Sequence, residues 1–307
     1  MASPFANKST NVLKIMRLYT IRLQYLLGSW LAPEVTVAAA SRLFCTPHPG
    51  GSRRGPVIAE GVVTSSLSVD GRQLATYSWG DPGSEPYVLF SHGWASHAAR
   101  ILPWVAPLRA AGYAVVAFDH PAHGDSEGEL ATLPDFTQAL LAIGAHHGPA
   151  AAMIGHSLGS AAAMLALVQG LRAERVILIA PAADPVAAAQ RFARFVWMHE
   201  TLCSRMSEGF RARLGIGFEE QQAHRNVHQL GCPALIVHDA NDEVVPWEEG
   251  ERYARLWPRS RLLTTVGLGH SRIVGDPDVI NSGLRFLRGQ SVGERVVSSP
   301  NLPLGFA

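Results

Sequence analysis

The sequence predicts an α/β protein with a mostly parallel β-sheet covered by helices on both faces. Beyond residue 57, short apolar segments with strand character alternate regularly with segments of helical character. The strand-like segments are almost continuously apolar, which is typical of strands buried on both faces of a sheet. Hydrophobic residues make up 47% of the 307 residues and charged residues only 17%, so a large buried core is expected.

The elements of the sheet follow one another in a regular order. The first two strands, Val57–Thr64 and Arg72–Trp79, are expected to form a hairpin that turns at Asp70 and Gly71. Later strands are predicted at Tyr87–Ser91, Ala114–Asp119, around Met153, and at Arg175–Ala180, Pro233–His238 and Arg261–Val266. Helices are predicted at Ile101–Ala111, Leu133–His146, directly after Ser157, and at Gly250–Leu256 and Asp278–Arg288. The crossovers between parallel strands should be right-handed.

Residues 1–56 differ from this pattern and are predicted to form a helical arm that ends in a linker over Pro47–Pro56. The segment Val12–Leu31 is apolar but contains Lys and Arg, so it lacks the uninterrupted stretch of about 20 apolar residues that a membrane span requires. Its apolar residues share one helical face, namely Ile15, Met16, Tyr19, Leu23, Leu26 and Leu27. A second helix is predicted over Glu34–Phe44. Three interpretations stay open: an arm packed on the main domain, an interfacial helix resting on a membrane, and a targeting peptide.

The segment between the strand that ends at Ala180 and the strand that opens at Pro233 is too long for a single crossover. We expect residues 184–230 to form a small helical cap, with helices over Ala187–Trp197 and Glu219–His228. Its large apolar side chains either line an acyl or aromatic pocket or anchor the cap; they are Phe192, Phe195, Trp197 and Met198. The predicted organisation is an arm and linker (1–56), an α/β core (57–183 and 231–289), the cap (184–230) and a C-terminal tail (290–307).

A Gly-x-Ser-x-Gly motif, Gly155-His156-Ser157-Leu158-Gly159, follows a predicted strand and precedes a run rich in Ala and Leu with high helix propensity. A serine between a strand and a helix occupies a cramped turn, so the residues two before and two after it must be small. Such a turn exposes the serine hydroxyl at the carboxyl edge of the sheet, where the N-terminus of the helix directs amide groups at the same place. Ser157 is therefore the candidate nucleophile.

A serine nucleophile needs a base to accept its proton, and histidine is suited to this role at neutral pH. Position selects His270 among the 13 histidines, because it follows the last predicted strand and neighbouring glycines let its loop bend toward Ser157. An acid must orient the histidine. Asp242, after the preceding strand, is the favoured candidate, and Asp239 and Glu243 stay as alternatives. The order serine, acid, histidine, each after a different strand, is typical of hydrolases with this serine motif.

The reaction also needs backbone donors for a developing oxyanion. Leu158 supplies one N–H at the start of the helix after the nucleophile. Trp94 is expected to supply the second, since Gly93 lets the chain turn tightly after a strand. His120 and His123 are expected to shape the floor of the pocket, whereas His156 should point away from the tight turn. The predicted substrate-binding set is His92, Gly93, His156, Phe192, Phe195 and Trp197.

Together these motifs resemble the α/β-hydrolase superfamily, in its serine esterase- and lipase-like branch with a helical cap. The resemblance spans about residues 57–288. It rests on Ser91-His92-Gly93-Trp94, Asp119-His120-Pro121-Ala122-His123-Gly124-Asp125-Ser126, Gly155-His156-Ser157-Leu158-Gly159, Asp242-Glu243-Val244-Val245-Pro246 and Gly269-His270. It implies an eight-stranded sheet with an antiparallel second strand, a triad of Ser157, Asp242 and His270, and oxyanion contacts from Trp94 and Leu158. The chain departs from the family at Asp239 and Ala122, where glycine is frequent in relatives.

Composition and charge narrow the function classes. A net charge of +1 gives no electrostatic basis for a nucleic-acid partner. Three widely separated cysteines suggest neither a zinc site nor a disulfide framework.

We therefore expect a hydrolase of small-molecule carboxylic esters with apolar acyl chains, which acts through an acyl-enzyme and needs no metal or organic cofactor. Alternatives are a thioesterase, a lysophospholipase or monoacylglycerol lipase, a peptidase or carbon–carbon bond hydrolase, and a non-catalytic membrane-associated binding protein with the same fold. A cytoplasmic location is expected, with peripheral membrane association if the arm rests on a membrane.

Overall fold

The computed structural model describes residues 4–47 and 59–296. The described residues form two compact units, one of residues 4–45 with 184–221 and the other of residues 46–47, 59–183 and 222–296. The larger unit contains the β-sheet, and the described part of the smaller unit consists of helices and connecting turns. The start of the predicted first strand (57–58), most of the predicted linker and the tail beyond residue 296 lie outside the described residues.

Eight strands form the sheet: β1 (Val62–Val69), β2 (Arg72–Trp79), β3 (Tyr87–Ser91), β4 (Ala114–Phe118), β5 (Ala150–His156), β6 (Ala173–Ile179), β7 (Ala234–Asp239) and β8 (Ser260–Thr265). Their spatial order is β1-β2-β4-β3-β5-β6-β7-β8. Strand β2 is antiparallel to both of its neighbours, β1 and β4, and every other pair is parallel. The mostly parallel, eight-stranded sheet with an antiparallel second strand is thereby confirmed.

The described residues form the helices α1 (Pro4–Leu31), α2 (Pro33–Phe44), α3 (Leu102–Ala110), α4 (Leu133–His147), α5 (Leu158–Val168), α6 (Pro185–Val196), α7 (Leu202–Leu214), α8 (Ala223–Asn226), α9 (Trp247–Leu256), α10 (Gly269–Arg272) and α11 (Pro277–Leu287). Helices α4, α6 and α11 carry a proline in the first turn and begin after a residue whose side chain accepts a hydrogen bond from that turn, Thr132, Asp184 and Asp276. These caps fix where each helix begins, because they satisfy amides that have no helical acceptor.

Two hydrophobic clusters cover the two faces of the sheet in the larger unit. Neighbouring residues of β3 show the alternation, since Leu89 joins the cluster that contains Phe136 of α4, and Phe90 joins the cluster that contains Trp104 of α3. All of these side chains are fully buried. The apolar strands therefore hold the sheet between two helical layers, and its carboxyl edge is left to loops.

The first strand differs from the prediction. It spans β1, Val62–Val69, rather than Val57–Thr64, although the hairpin turns at Asp70 and Gly71 as predicted, with both residues at positive φ. Strand β1 lies at the edge of the sheet and most of its residues are exposed. An exposed edge strand such as β1 contains Thr and Ser instead of a continuous apolar run. Apolar residues alone therefore predict the strand too early in the sequence.

The helices of the segment 184–230 also differ in part. The first predicted helix, Ala187–Trp197, is present as α6. The predicted helix Glu219–His228 is divided into a 3₁₀ turn at Glu219–Gln221, the four-residue α8 and a second 3₁₀ turn at Val227–Gln229. Helix α7 was not predicted, because its charged sequence, Leu-Cys-Ser-Arg-Met-Ser-Glu-Gly-Phe-Arg-Ala-Arg-Leu, has only a weak apolar stripe.

The smaller unit joins the N-terminal helices to α6 and α7. Arg22 of α1 donates a hydrogen bond to the carbonyl of Phe195 at 2.8 Å, and its guanidinium lies 5.1 Å from the ring centre of Trp197. At the other end of the arm, Phe44 of α2 contacts Phe192 edge to face at 5.2 Å. The arm and the first half of the cap segment are thus packed together. None of the described helices combines the length and the apolar character that crossing a bilayer requires.

Candidate active site

Ser157 lies at a sharp turn between β5 and α5, with φ 54° and ψ −122°. Its N–H is held by the carbonyl of Ile179 on the neighbouring strand at 2.9 Å. The flanking glycines are required by close approach: a Cβ on Gly155 would lie 2.7 Å from the Cα of Ser160, and one on Gly159 would lie 2.3 Å from the carbonyl oxygen of His92. The motif therefore produces the strained turn expected from the sequence.

His270 lies between Ser157 and Asp242 and contacts both. Its Nε2 is 3.0 Å from the Oγ of Ser157, and its Nδ1 is 2.7 Å from the Oδ2 of Asp242. The short helix α10 that carries His270 begins after Gly267 and at Gly269, which both have positive φ and let the chain reverse after β8. The three side chains, predicted from sequence and far apart along the chain, come together at the carboxyl edge of the sheet.

Asp242 is buried and its two oxygens have different partners. Oδ1 accepts hydrogen bonds from the amides of Val244 and Val245 at 2.8 and 2.9 Å, and Oδ2 contacts His270. Burial opposes ionisation, but the hydrogen bonds from His238, His270 and the Val245 amide outweigh it and hold the pKa of Asp242 far below its usual range. The carboxylate is therefore charged wherever His270 could act as a base.

The two alternative acids have other positions. Asp239 accepts hydrogen bonds from the Oγ1 of Thr265 and the amide of Leu268, at 2.7 and 3.0 Å, and so ties the ends of β7 and β8 together. Glu243 is exposed. Of the three candidates, Asp242 is the acid in contact with His270.

The loop after β3 approaches the nucleophile closely at Gly93. A Cβ added to Gly93 would lie 2.9 Å from the Cβ of Ser157, so glycine is required here. Leu158 is the first residue of α5, and its N–H consequently has no acceptor within the helix. Trp94 follows Gly93 directly. Both predicted oxyanion donors thus belong to the backbone that borders Ser157.

His156 and His92, two of the residues predicted to bind substrate, are buried and each contacts a backbone carbonyl. The Nε2 of His156 lies 2.9 Å from the carbonyl oxygen of His270. Burial lowers the pKa of His156 to about 3. His92 is fully buried, with its Nδ1 2.8 Å from the carbonyl oxygen of Gly93. Their predicted contact with substrate stays a prediction.

The sequence reasoning missed His238, which is fully buried at the end of β7. Its Nε2 lies 3.0 Å from the carbonyl oxygen of Val245 and 3.5 Å from the Oδ2 of Asp242, so it holds the loop that presents the acid. A Cβ on Gly250 would lie 2.2 Å from the Nδ1 of His238. The sequence signal that could have identified His238 is a polar residue after an apolar run, Ala-Leu-Ile-Val, in β7.

The aromatic residues predicted to bind substrate lie in the smaller unit. Phe192 contacts Phe44, and Phe195 and Trp197 lie beside Arg22. Phe195 is 55% exposed and Trp197 is 36% exposed. Their anchoring contacts are therefore established within this unit, and a role in substrate binding stays a prediction.

Comparisons with known proteins agree with this fold. Residues 83–213 match a family profile described as serine aminopeptidase, S33. Over 238 residues the chain is 27% identical to the lysophosphatidylserine lipase ABHD12 of Danio rerio, and the match covers 67% of this chain and 59% of that protein.

Solved structures are similar at lower sequence identity. An esterase from Exiguobacterium antarcticum has a TM-score of 0.57 at 15% identity, over 74% of this chain and 100% of its own. A membrane phospholipase A has a TM-score of 0.58 at 17% identity, over 92% of this chain and 98% of its own. The sheet order, the serine turn and these structures show that the chain has the α/β-hydrolase fold.

Proposed function

We propose that the protein is a serine hydrolase that cleaves carboxylic esters of apolar acyl chains through an acyl-enzyme. The observation that carries the proposal is the continuous hydrogen-bond chain from Ser157 through His270 to Asp242. A binding protein would not need a strained serine aligned with a histidine and a buried carboxylate. The names of the relatives, an esterase and a lysophosphatidylserine lipase, support ester substrates.

The proposed reaction follows from the hydrogen-bond geometry of Ser157, His270 and Asp242. Neutral His270 donates its Nδ1–H to Asp242, so its Nε2 is free to accept the proton of Ser157 as Oγ attacks the ester carbonyl. The imidazolium gives that proton to the leaving alcohol, which leaves an acyl group on Ser157. Water then attacks the acyl carbonyl with His270 again as base; the bond from the acyl carbon to the Oγ of Ser157 breaks, the carboxylic acid leaves, and His270 returns the proton to Oγ. The N–H groups of Trp94 and Leu158 would hold the oxyanion, and each such donor typically contributes about 3 kcal/mol.

Amides and thioesters are alternative substrate classes for the same catalytic residues. The matching family profile is described as a serine aminopeptidase, which favours an amide substrate, and thioesters require the same machinery. We favour esters because the curated relative is a lipase. Activity against p-nitrophenyl esters of increasing chain length, beside thioester and aminoacyl-amide panels, separates these classes. Faster turnover of an aminoacyl amide than of any ester would contradict the proposal.

Labelling by a fluorophosphonate probe tests whether Ser157 is an activated nucleophile. We expect the wild-type protein to be labelled and the Ser157→Ala variant to be neither labelled nor active, because among residues 4–47 and 59–296 Ser157 is the serine that bonds the Nε2 of His270. Ser160→Ala is the matched control, since Ser160 is buried one helical turn further on and bonds the carbonyl of Ile179. Equal labelling of wild type and Ser157→Ala would end the hydrolase proposal.

We also propose that helix α1 rests on a membrane surface. One side of α1 carries large apolar residues that fall within an arc of about 140° and are exposed: Met16, Tyr19, Leu23, Leu26, Leu27, Trp30 and Leu31. Trp30 and Leu31 are 74% and 82% exposed. The segment Pro4–Leu31 contains four basic residues and no acidic one. This combination is typical of a helix that lies in the interface of an anionic bilayer.

Vesicle binding tests the membrane proposal with a charge placed on or off the apolar side. Leu27→Glu puts a carboxylate in the middle of that side, so we expect at least tenfold weaker cosedimentation with vesicles of phosphatidylcholine and phosphatidylglycerol. Gln24→Glu adds the same charge at an exposed position beside it and should keep most of the binding. Equal binding of the two variants would contradict the proposal, and concentration-dependent dimers without lipid binding would assign the surface to a second copy of the chain.

A further inference from the structure

The peptide group between Gly93 and Trp94 is held by a buried histidine, His92. The carbonyl of Gly93 and the N–H of Trp94 belong to one peptide group, and that carbonyl accepts a hydrogen bond from the Nδ1–H of His92 at 2.8 Å. The Nε2 of the same ring accepts the N–H of His120 at 3.0 Å, which fixes the tautomer. In a trans peptide the N–H points opposite to the C=O, so the N–H of Trp94 is directed away from His92.

The peptide group between Trp94 and Ala95 is held by another buried histidine, His123. The N–H of Ala95 donates to the Nε2 of His123 at 3.1 Å. The Nδ1 of His123 lies 2.9 Å from the carbonyl oxygen of Pro121, which can only accept, so Nδ1 carries the proton and Nε2 is an acceptor. Burial lowers the pKa of His123 to about 4, which keeps the ring neutral at physiological pH.

The contact at Ala95 is needed because its backbone is strained. Ala95 has φ 50°, in the left-handed region that residues with a Cβ rarely adopt. Without an acceptor for its N–H, the loop could relax and rotate the peptide groups on both sides of Trp94. The ring of Trp94 also lies 5.1 Å from that of His123, edge to face.

We propose that His123 is a positioning residue of the reaction, which aims the N–H of Trp94 at the oxyanion by accepting the N–H of Ala95. The proposal rests on the hydrolase function proposed above. His123 does not touch the reacting atoms in this scheme. It acts by preventing rotation of the peptide group between Trp94 and Ala95. His92 in the same way prevents rotation of the peptide group between Gly93 and Trp94.

Two substitutions separate the acceptor from the bulk of the ring. His123→Phe keeps a ring against Trp94 and Phe136 but removes the acceptor. His123→Gln keeps a carbonyl oxygen near the position of Nε2. We expect His123→Phe to lower kcat for a p-nitrophenyl ester by 10- to 100-fold with KM within about threefold, because the donor acts in the transition state rather than on bound substrate. His123→Gln should recover most of kcat.

Affinity for a trifluoromethyl ketone, which forms a tetrahedral oxyanion adduct with Ser157, should fall in parallel with kcat. The ¹⁵N spectrum of the wild-type protein should show His123 protonated at Nδ1 and not at Nε2, whether or not the protein is active. Wild-type kcat in His123→Phe, or equal losses in both variants while both stay folded, would overturn the proposal. If His123→Phe does not fold, His123→Gln decides alone: near wild-type kcat supports the proposal and a tenfold loss overturns it. Hydrolysis by Ser157→Ala would instead refute the underlying function.

Discussion

Ser157 holds a backbone conformation that a residue with a Cβ adopts only under constraint, and this generally costs about 1–3 kcal/mol. The constraint comes from both sides. The N–H of Ser157 is bonded to β6 through Ile179, and its carbonyl accepts the N–H of Ser160 at 3.0 Å. The strain is therefore carried by the sheet and by α5. Its result is a hydroxyl 3.0 Å from the Nε2 of His270 without any rearrangement.

At this scale Asp242 gives a sharp prediction. In Asp242→Asn a neutral amide replaces the carboxylate at 2.7 Å from the Nδ1 of His270, so the imidazolium formed during attack loses its stabilising charge and the tautomer is no longer specified. We expect kcat/KM for a p-nitrophenyl ester at pH 7.5 to fall by about 10³–10⁴-fold. Steady-state kinetics together with a thermal melt separates this loss from a loss of folded protein.

Asp239→Asn is the matched control for that experiment. Asp239 ends β7, three residues before Asp242, but its partners are Thr265 and the amides of Asn241 and Leu268. Its substitution should lower the melting temperature, but it should lower kcat/KM far less than Asp242→Asn does. A variant Asp239→Asn that loses as much activity as Asp242→Asn at an unchanged melting temperature would show that the acid has been assigned to the wrong residue.

At the scale of elements, the sequence was informative where burial dictates composition. The central strands β3 to β7 are apolar because both faces are covered, and each was found by that property. Ser157 and Asp242 could be predicted because each follows such a strand, β5 and β7. His270 follows the edge strand β8, and the glycines next to it were the additional signal. The edge strand β1 and the polar helix α7 carry no comparable signal, so their positions were wrong or missed.

Loops resisted prediction for a different reason. The histidines that follow β3 and β4 accept backbone N–H groups of each other's loops: the Nε2 of His92 accepts the N–H of His120 at 3.0 Å, and the Nε2 of His123 accepts the N–H of Ala95 at 3.1 Å. Nothing in composition or spacing specifies which nitrogen contacts which carbonyl or amide, since that depends on three-dimensional placement. The sequence predicts His120 and His123 near the pocket, but not that the ring of His120 contacts the hydroxyl of Ser91 or that the ring of His123 accepts the N–H of Ala95.

For the whole molecule, buried neutral histidines link folding to pH. In the larger unit, burial holds the pKa of His92 and His120 well below the ordinary value, that of His123 at about 4 and that of His156 at about 3. As pH falls below about 6.5, the unfolded chain binds protons at these positions and the folded chain does not. Their stabilising contribution is therefore complete above about pH 6.5 and is lost between there and the folded pKa values. Buried Asp119, whose pKa burial raises, has the opposite sign but is a single group.

Each such histidine should cost about 1.4 kcal/mol of unfolding free energy per pH unit below 6.5. Four of them would together remove about 5.6 kcal/mol by pH 5.5, a large part of the stability of an ordinary domain. We therefore expect the urea midpoint to fall steeply from pH 7.5 to 5.5. In His156→Gln the slope of the unfolding free energy against pH should decrease by the equivalent of about one proton. Substitution of the exposed His228 by Gln should leave that slope unchanged. A urea midpoint that is constant over this range, or equal slopes in the two variants, would contradict the linkage between these rings and the fold.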